Sequence, residues 1–349
     1  MRPYRQIDPK QARRESTDRL PGLDLLRAVA ILWVMDFHAQ AFRIVASSDH
    51  VARFGWMGVD LFFALSGFLI GGQLLRPLSK GQALRPVTFY VRRLFRTLPP
   101  YLAVVTLYFM VPVFRESPRI APLWQFLTFT ENLFVGSYHA SAFSHAWSLC
   151  IEEQFYLLLP LLFVGQKSKR FVPTLIAIIV VCMLLRNGGQ SYFVGWDFAS
   201  FAGFDALGLG VLTAYLAHRS DPRLSLWLMA IGLFAIAVGA TANDGRSLLI
   251  AYGAAAFVLG AQARDVLFSR VKLPARLGQL SYEMYLLHPM VLMALLPTLQ
   301  ATSMRFDVAL LLSVVGTAFL ASIVEITFTR PTNVWLRKAL SRASSFGLV

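Results

Sequence analysis

Charge is scarce in this chain. Only 15% of its 349 residues are Asp, Glu, Lys or Arg, where soluble domains carry about 25%. Hydrophobic residues make up 56% and the mean hydropathy is +0.56, a balance that excludes an ordinary soluble domain. Cysteine is nearly absent too. Cys150 and Cys182 both fall in apolar runs, which leaves neither a disulfide framework nor a thiolate metal site. The histidines form no pair at zinc-ligand spacing, so no metal is expected. The first twenty residues are polar and basic and lack the short apolar core of a signal peptide. The full-length apolar run that follows is expected to stay in the protein as an anchor. No internal repeat and no low-complexity segment is evident.

What the chain does hold is a series of apolar segments long enough to cross a bilayer. They predict about ten transmembrane helices, near 23–45, 57–76, 97–114, 147–165, 171–186, 198–217, 224–241, 246–262, 279–298 and 306–329. The expected fold class is therefore all-α, an integral membrane helical bundle. An even number of spans puts both termini on one side. Of the 33 Lys and Arg residues, all but Arg43, Arg53, Arg115, Arg119, Arg186, Arg246 and Arg305 lie on that side, which the positive-inside rule identifies as cytoplasmic. The net charge of +14 is then read as a topology signal. Its expected partner is anionic lipid, not nucleic acid. The chain divides into a basic arm (1–20), a membrane domain (21–330) and a basic tail (331–349).

Several ionisable residues fall inside the predicted spans, where charge is costly and commonly marks function. In DLLRAVAILWVMDFH, Asp24 to His38, residues Arg27 and His38 are roughly 1,100° apart around a helix, within about 20° of one face, and roughly 16 Å apart along it. Either they form a functional site or they hydrogen-bond neighbouring helices. Asp60 enters the second helix at a depth like that of His38, where a carboxylate could orient the imidazole. Ser66, Gly67, Gly71 and Gly72 read as close-packing positions. Before Pro99 and Pro100, the run FYVRRLFR places Arg92 and Arg96 on one helical face with Arg93 adjacent. These arginines are either a positive-inside anchor or a phosphate clamp.

An amphipathic stretch, PLWQFLTFTENLFVG, is expected at the outer interface. It precedes His145, expected at the outer surface, and Glu152 and Glu153 one to two turns into the fourth helix. Adjacent carboxylates diverge by roughly 100°, so at most one of the two is expected to face the same cavity as His38, and the other to need a different partner. Asp205 reads as bonded to a neighbouring helix. His288, before Pro289, is a second candidate histidine. The seventh and eighth helices carry little charge and read as scaffold.

Five stretches together are distinctive: LDLLRAVAILWVMDFH, GWMGVDLFFALSGFLIG, FYVRRLFRTLPPYL, SHAWSLCIEEQFYLLLP and LGQLSYEMYLLHPMVL. In these the chain resembles the acyltransferase-3 family of multi-span membrane enzymes, which transfer acyl groups from cytoplasmic acyl-coenzyme A to cell-surface glycans and other acceptors. The resemblance implies an acyl-coenzyme A dependent O-acetyltransferase of the bacterial inner membrane, with acetyl-coenzyme A as donor and an extracytoplasmic polysaccharide, oligosaccharide or lipid-linked glycan as acceptor. It implies His38 as catalytic residue, Arg27 as its motif partner and Arg92 and Arg93, with Arg96, as coenzyme A contacts. Asp60, Glu152 and Glu153 are implied near the reaction centre. Asp36, His145, Trp147 and His288 are candidate acceptor contacts. Asp36 stands where the family usually has an apolar residue, and Thr329 stands where it often has Glu before Arg-Pro, with Glu325 one turn earlier. A C-terminal hydrolase-like domain found in some members has no counterpart in this sequence, so any transfer step assigned to it is expected to need another protein.

His38 would act as general base or as a transient acyl carrier. A proton-coupled transporter or flippase is the alternative, since His38, Asp60, Glu153 and Asp205 could form a proton relay, although no broken-helix pair or inverted repeat is evident. A third reading is a sensor or scaffold that binds acyl-coenzyme A without turnover.

Overall fold

The computed structural model describes residues 20–42, 52–79, 86–134, 141–162, 168–188, 201–217, 222–241, 248–262, 272–302 and 305–345. Nearly all of the basic arm lies outside them. Among the described residues every regular element is helical apart from one isolated bridge between Ile120 and Ala142.

Helix α1 spans Pro21–Ala41 and α2 Met57–Ser79. The third helix begins earlier than its hydropathy suggests. α3 runs Pro86–Met110 and passes through both Pro99 and Pro100. Pro86 suits a first helical turn, where no N–H is needed, and the arginine-rich run that follows holds no helix breaker. Arg92, Arg93 and Arg96 therefore project from a continuous helix. A cap follows, with a short helix α4 (Leu123–Leu127) and single 3-10 turns at Glu131–Leu133 and Ser144–Ala146. It buries Gln125, Phe126, Glu131 and Asn132 while exposing Leu123, Trp124, Leu127, Leu133 and Phe134. Polar groups inside and apolar groups outside fit a segment lying against lipid.

α5 (Trp147–Leu158) is shorter than expected, because the chain tightens into a 3-10 turn, Leu159–Leu162, around Pro160. Its twelve residues rise only about 18 Å, part of the way through a hydrocarbon layer of about 30 Å. α6 (Ser168–Gly188), α7 (Phe201–Ala217), α8 (Ser225–Thr241) and α9 (Leu248–Gln262) follow. Hydropathy did not anticipate the amphipathic α10 (Lys272–Gln279), which packs on α1 and is separated from α11 (Ser281–Ala301) by a turn at Leu280. The last helix also outruns its predicted end. α12 (Phe306–Val324) passes through a π-helical turn, Glu325–Thr329, into α13 (Arg330–Ser345), whose Trp335 packs 5.5 Å from Phe95 of α3. Most of the predicted tail is thus helical.

At the centre, α2 lies along α7. A Cβ at Gly67 would overlap the Leu207 carbonyl, and one at Gly210 would overlap that of Ala64, so two glycines let these backbones touch. α6 and α9 flank α7, and α8 packs outside α9. Only Ser225, Gly232 and Gly239 of α8 are buried. α1 packs between α2, α10 and α11. The exterior is apolar: Trp227 and Phe234 are each 70% exposed and Phe319 69%. Two helices, Met57–Leu78 and Phe306–Leu336, are long and apolar enough by themselves to cross a membrane, and four shorter apolar helices accompany them. Contiguous exposed apolar surface of this extent belongs in a membrane.

Candidate active site

Two clusters of polar side chains occupy the interior. The first gathers three histidines from distant parts of the chain. His38 comes from the last turns of α1, His145 from the 3-10 turn before α5 and His288 from α11. The ring centroids of His38 and His288 are 4.9 Å apart, those of His145 and His288 5.3 Å, and those of His38 and His145 6.3 Å. His38 Nδ1 lies 2.9 Å from the Val34 carbonyl oxygen and 3.3 Å from His288 Nε2, while His288 Nδ1 lies 2.8 Å from the Tyr285 carbonyl oxygen. His288 is fully buried.

His145 was expected near the outer surface. It is instead buried, 5% exposed, beneath Phe143. Phe143 adopts a left-handed conformation (φ 61°), and its N–H donates to Glu116 Oε1 at 2.8 Å. That carboxylate oxygen also stands 3.9 Å from His145 Nδ1. Burial holds His145 down to about 3, so it stays uncharged at neutral pH. Burial likewise pushes Glu131 of the cap up to about 8, which keeps its proton at neutral pH.

The second cluster centres on Arg93. Its guanidinium lies 3.5 Å from Glu152 Oε2, 3.8 Å from Glu153 Oε1 and 3.9 Å above the Tyr156 ring. Glu152 Oε2 also accepts from Tyr156 at 2.7 Å and from Ser66 at 3.3 Å, and Ser66 meets the Tyr156 hydroxyl as well. Adjacent carboxylates were expected to need separate partners. They share Arg93, whose forked guanidinium reaches both, and neither bonds to His38 among the described residues. Ser66, read as a packing position, is a polar member of this cluster. Glu152 and Tyr156 are four residues apart on one helical face, a spacing that could have flagged Tyr156.

A cavity of about 90 Å³ adjoins the Arg93 cluster. Arg27, Arg93, Arg96, Ser66, Glu152, Ser148 and Tyr285 are among the residues that line it. Tyr285 donates to the His145 carbonyl at 3.0 Å and lies 2.7 Å from Ser148 Oγ, so two of the lining residues border the histidine cluster. Arg27 is paired with Asp24 at 3.0 Å and Arg93 with the two glutamates. Arg96 has no hydrogen bond or ion pair among the described residues. Of the three guanidiniums it is the one left to meet an anion. Arg92 is exposed and does not line the cavity.

The remaining candidates lie elsewhere. Asp60, buried near the start of α2, makes no hydrogen bond with His38 among the described residues. Asp36 is half-buried on α1 and, two residues from His38, roughly 200° around the helix from it. Trp147 packs edge-on against Phe63 at 6.2 Å. Asp205 is fully buried and its Oδ1 accepts the Ala206 N–H at 2.7 Å. Thr329 donates to Glu283 at 2.8 Å, and Glu325 takes Arg276 at 2.6 Å and Arg330 at 3.4 Å. No cluster of three metal-ligating side chains occurs among the described residues.

Buried imidazoles beside an arginine-lined cavity, inside a helical bundle with an apolar exterior, define a membrane protein with an internal polar site. The acyltransferase-3 family model, described as an acyltransferase domain, matches residues 20–327, and the chain belongs to that family. It is similar to the peptidoglycan O-acetyltransferase OatA of Listeria monocytogenes, 31% identical over 164 residues, which cover 43% of this chain and 25% of that protein. It is also similar to the O-acetyltransferase OatA of Staphylococcus aureus, 30% identical over 181 residues, 47% of this chain and 28% of that one. The chain thus aligns with less than a third of the length of either relative. No solved structure matches it.

Proposed function

We propose that this chain is an O-acetyltransferase of the bacterial inner membrane, with both termini in the cytoplasm, that moves an acetyl group from acetyl-coenzyme A to a hydroxyl of an extracytoplasmic glycan. The observation that carries the reading is a cavity whose lining holds Arg27, Arg93 and Arg96 together with Tyr285, which bonds to the His145 carbonyl of the histidine cluster. Coenzyme A is a polyanion that cannot enter lipid. Its phosphates would stay with the guanidiniums, Arg96 foremost, while its slender pantetheine arm carries the thioester inward.

His38 would take the acceptor's hydroxyl proton as its oxygen attacks the thioester carbon, a role typically worth 10² to 10⁴ in rate. Both relatives are named as O-acetyltransferases, one of peptidoglycan, which favours a glycan hydroxyl as the acceptor. The test is release of free coenzyme A from acetyl-coenzyme A by the purified protein in lipid, with and without glycan fragments of the cell envelope. Acceptor-dependent release that falls at least about 10²-fold in His38→Ala is expected. Undiminished release in that variant would remove His38 from the reaction. A folded sample that neither binds nor consumes acetyl-coenzyme A would overturn the reading as a whole.

A further inference from the structure

The contacts around His38 define where its proton sits. A carbonyl oxygen can only accept, so His38 Nδ1, 2.9 Å from the Val34 oxygen, carries the hydrogen. By the same rule His288 Nδ1, 2.8 Å from the Tyr285 oxygen, carries its own. A neutral imidazole has one N–H, so Nε2 of each ring holds a lone pair. His288 Nε2 is thus an acceptor, and it stands 3.3 Å from the Nδ1–H of His38. The three contacts agree on one tautomer, in which the basic atom of His38 is Nε2.

The chain sets this arrangement through Pro289. In an α-helix the carbonyl of residue 285 receives the N–H of residue 289. Proline has no N–H, so Pro289 leaves the Tyr285 carbonyl without its helical donor, deep inside α11. The imidazole of His288 fills the place. A His-Pro step within a helix thereby turns a backbone defect into a fixed ring: His288 is held with Nε2 outward, towards His38.

We propose that His288 is a positioning residue for His38, holding it in the Nδ1–H tautomer and strengthening its acceptance from Nδ1–H as Nε2 gains a proton. The proposal rests on the reading of His38 as general base. In that step the acceptor oxygen forms its bond to the thioester carbon and its proton passes to His38 Nε2. The carbon–sulfur bond then breaks, and the departing coenzyme A thiolate takes the proton back from Nε2. An imidazolium forms and vanishes within the cycle. Its second N–H points at His288 Nε2 and the Val34 carbonyl throughout, a role like that of the group that orients a catalytic histidine in a triad.

The test is steady-state acetyl transfer by the full chain in lipid, comparing His288→Leu, His288→Gln and Pro289→Ala with the parent and with His38→Ala. His288→Leu should lower kcat by about 10²-fold while the KM for acetyl-coenzyme A stays within about twofold. His288→Gln, whose amide oxygen can replace Nε2 as acceptor, should recover most of that loss. Pro289→Ala restores an N–H to compete for the Tyr285 carbonyl and removes a helix-breaking residue, so it should fold at least as well as the parent and still lose kcat several-fold. Parental kcat in folded His288→Leu, or in Pro289→Ala, overturns the positioning role if His38→Ala is inactive. An equal loss in His288→Leu and His288→Gln also overturns it, because bulk alone would then explain the effect. Full activity in His38→Ala would instead sink the reading of His38 on which the proposal rests.

Discussion

At the scale of single residues, the three cavity arginines have the same chemistry and different work. Arg27 is answered by Asp24 and Arg93 by Glu152 and Glu153. Removing Arg93 would strand two carboxylates in the interior, where breaking a buried pair typically costs about 3–5 kcal/mol. Arg96 carries no such structural duty among the described residues. Charge-assisted hydrogen bonds contribute about 1.5–3 kcal/mol, so Arg96→Ala should raise the KM for acetyl-coenzyme A by roughly 10- to 100-fold and leave kcat nearly unchanged. Arg92→Ala, a change at an exposed position outside the cavity, should move that KM by less than about twofold. Initial rates against donor concentration separate the two, and equal effects at both positions would mean that a diffuse basic surface, not a built site, holds the donor. Spacing alone brought these arginines into view, but that Arg93 is paired and Arg96 is not depends on carboxylates more than fifty residues further along the chain.

At the scale of elements, the bundle depends on where helices can touch. Gly67 and Gly210 let α2 and α7 meet backbone to backbone, whereas Gly72 has nothing within 4 Å of where a Cβ would sit. The motif GFLIGG suggests close packing for all of its glycines, because a glycine's neighbour across a helix interface is invisible in its own sequence. Overpacking typically costs about 1–3 kcal/mol, while replacing an unpacked helical glycine by alanine gains up to about 1 kcal/mol. Gly67→Ala should therefore lower the melting temperature in detergent, and Gly72→Ala should leave it unchanged or slightly raised. A parental melting temperature in Gly67→Ala would show that α2 and α7 can separate without loss. The helix ends carry a related lesson. Hydropathy started the third helix after its arginines, whereas helix formation needs only backbone hydrogen bonds and the absence of breakers, and so α3 begins at Pro86. Pro160 curtailed α5 for the complementary reason.

At the scale of the whole molecule, the proposed reaction needs a fixed orientation, with the cavity arginines reached from the cytoplasm. The two native cysteines are buried, which leaves a silent background for single-cysteine labelling. Arg119 in the cap and Lys338 on α13 are both exposed. An impermeant maleimide should label Arg119→Cys in intact cells, and Lys338→Cys only after the membrane is opened. The reverse pattern would place the donor cavity on the wrong side for coenzyme A.

The membrane class and the apolar, helical character of the long segments were legible from the sequence. Each depends on composition or on helical periodicity, which are properties of a few neighbouring residues. So were the five stretches that mark the family. The sequence by itself could not say what His38 meets. Its partner His288 lies 250 positions further on, and the expected partner, Asp60, makes no hydrogen bond with it among the described residues. Nor could local geometry say that Glu152 and Glu153 converge on one guanidinium from α3. Those pairings exist only once helices of particular length pack at particular depth. Tertiary structure decided them because buried polar groups must find partners, and in a bundle the nearest partner in space is seldom the nearest in sequence.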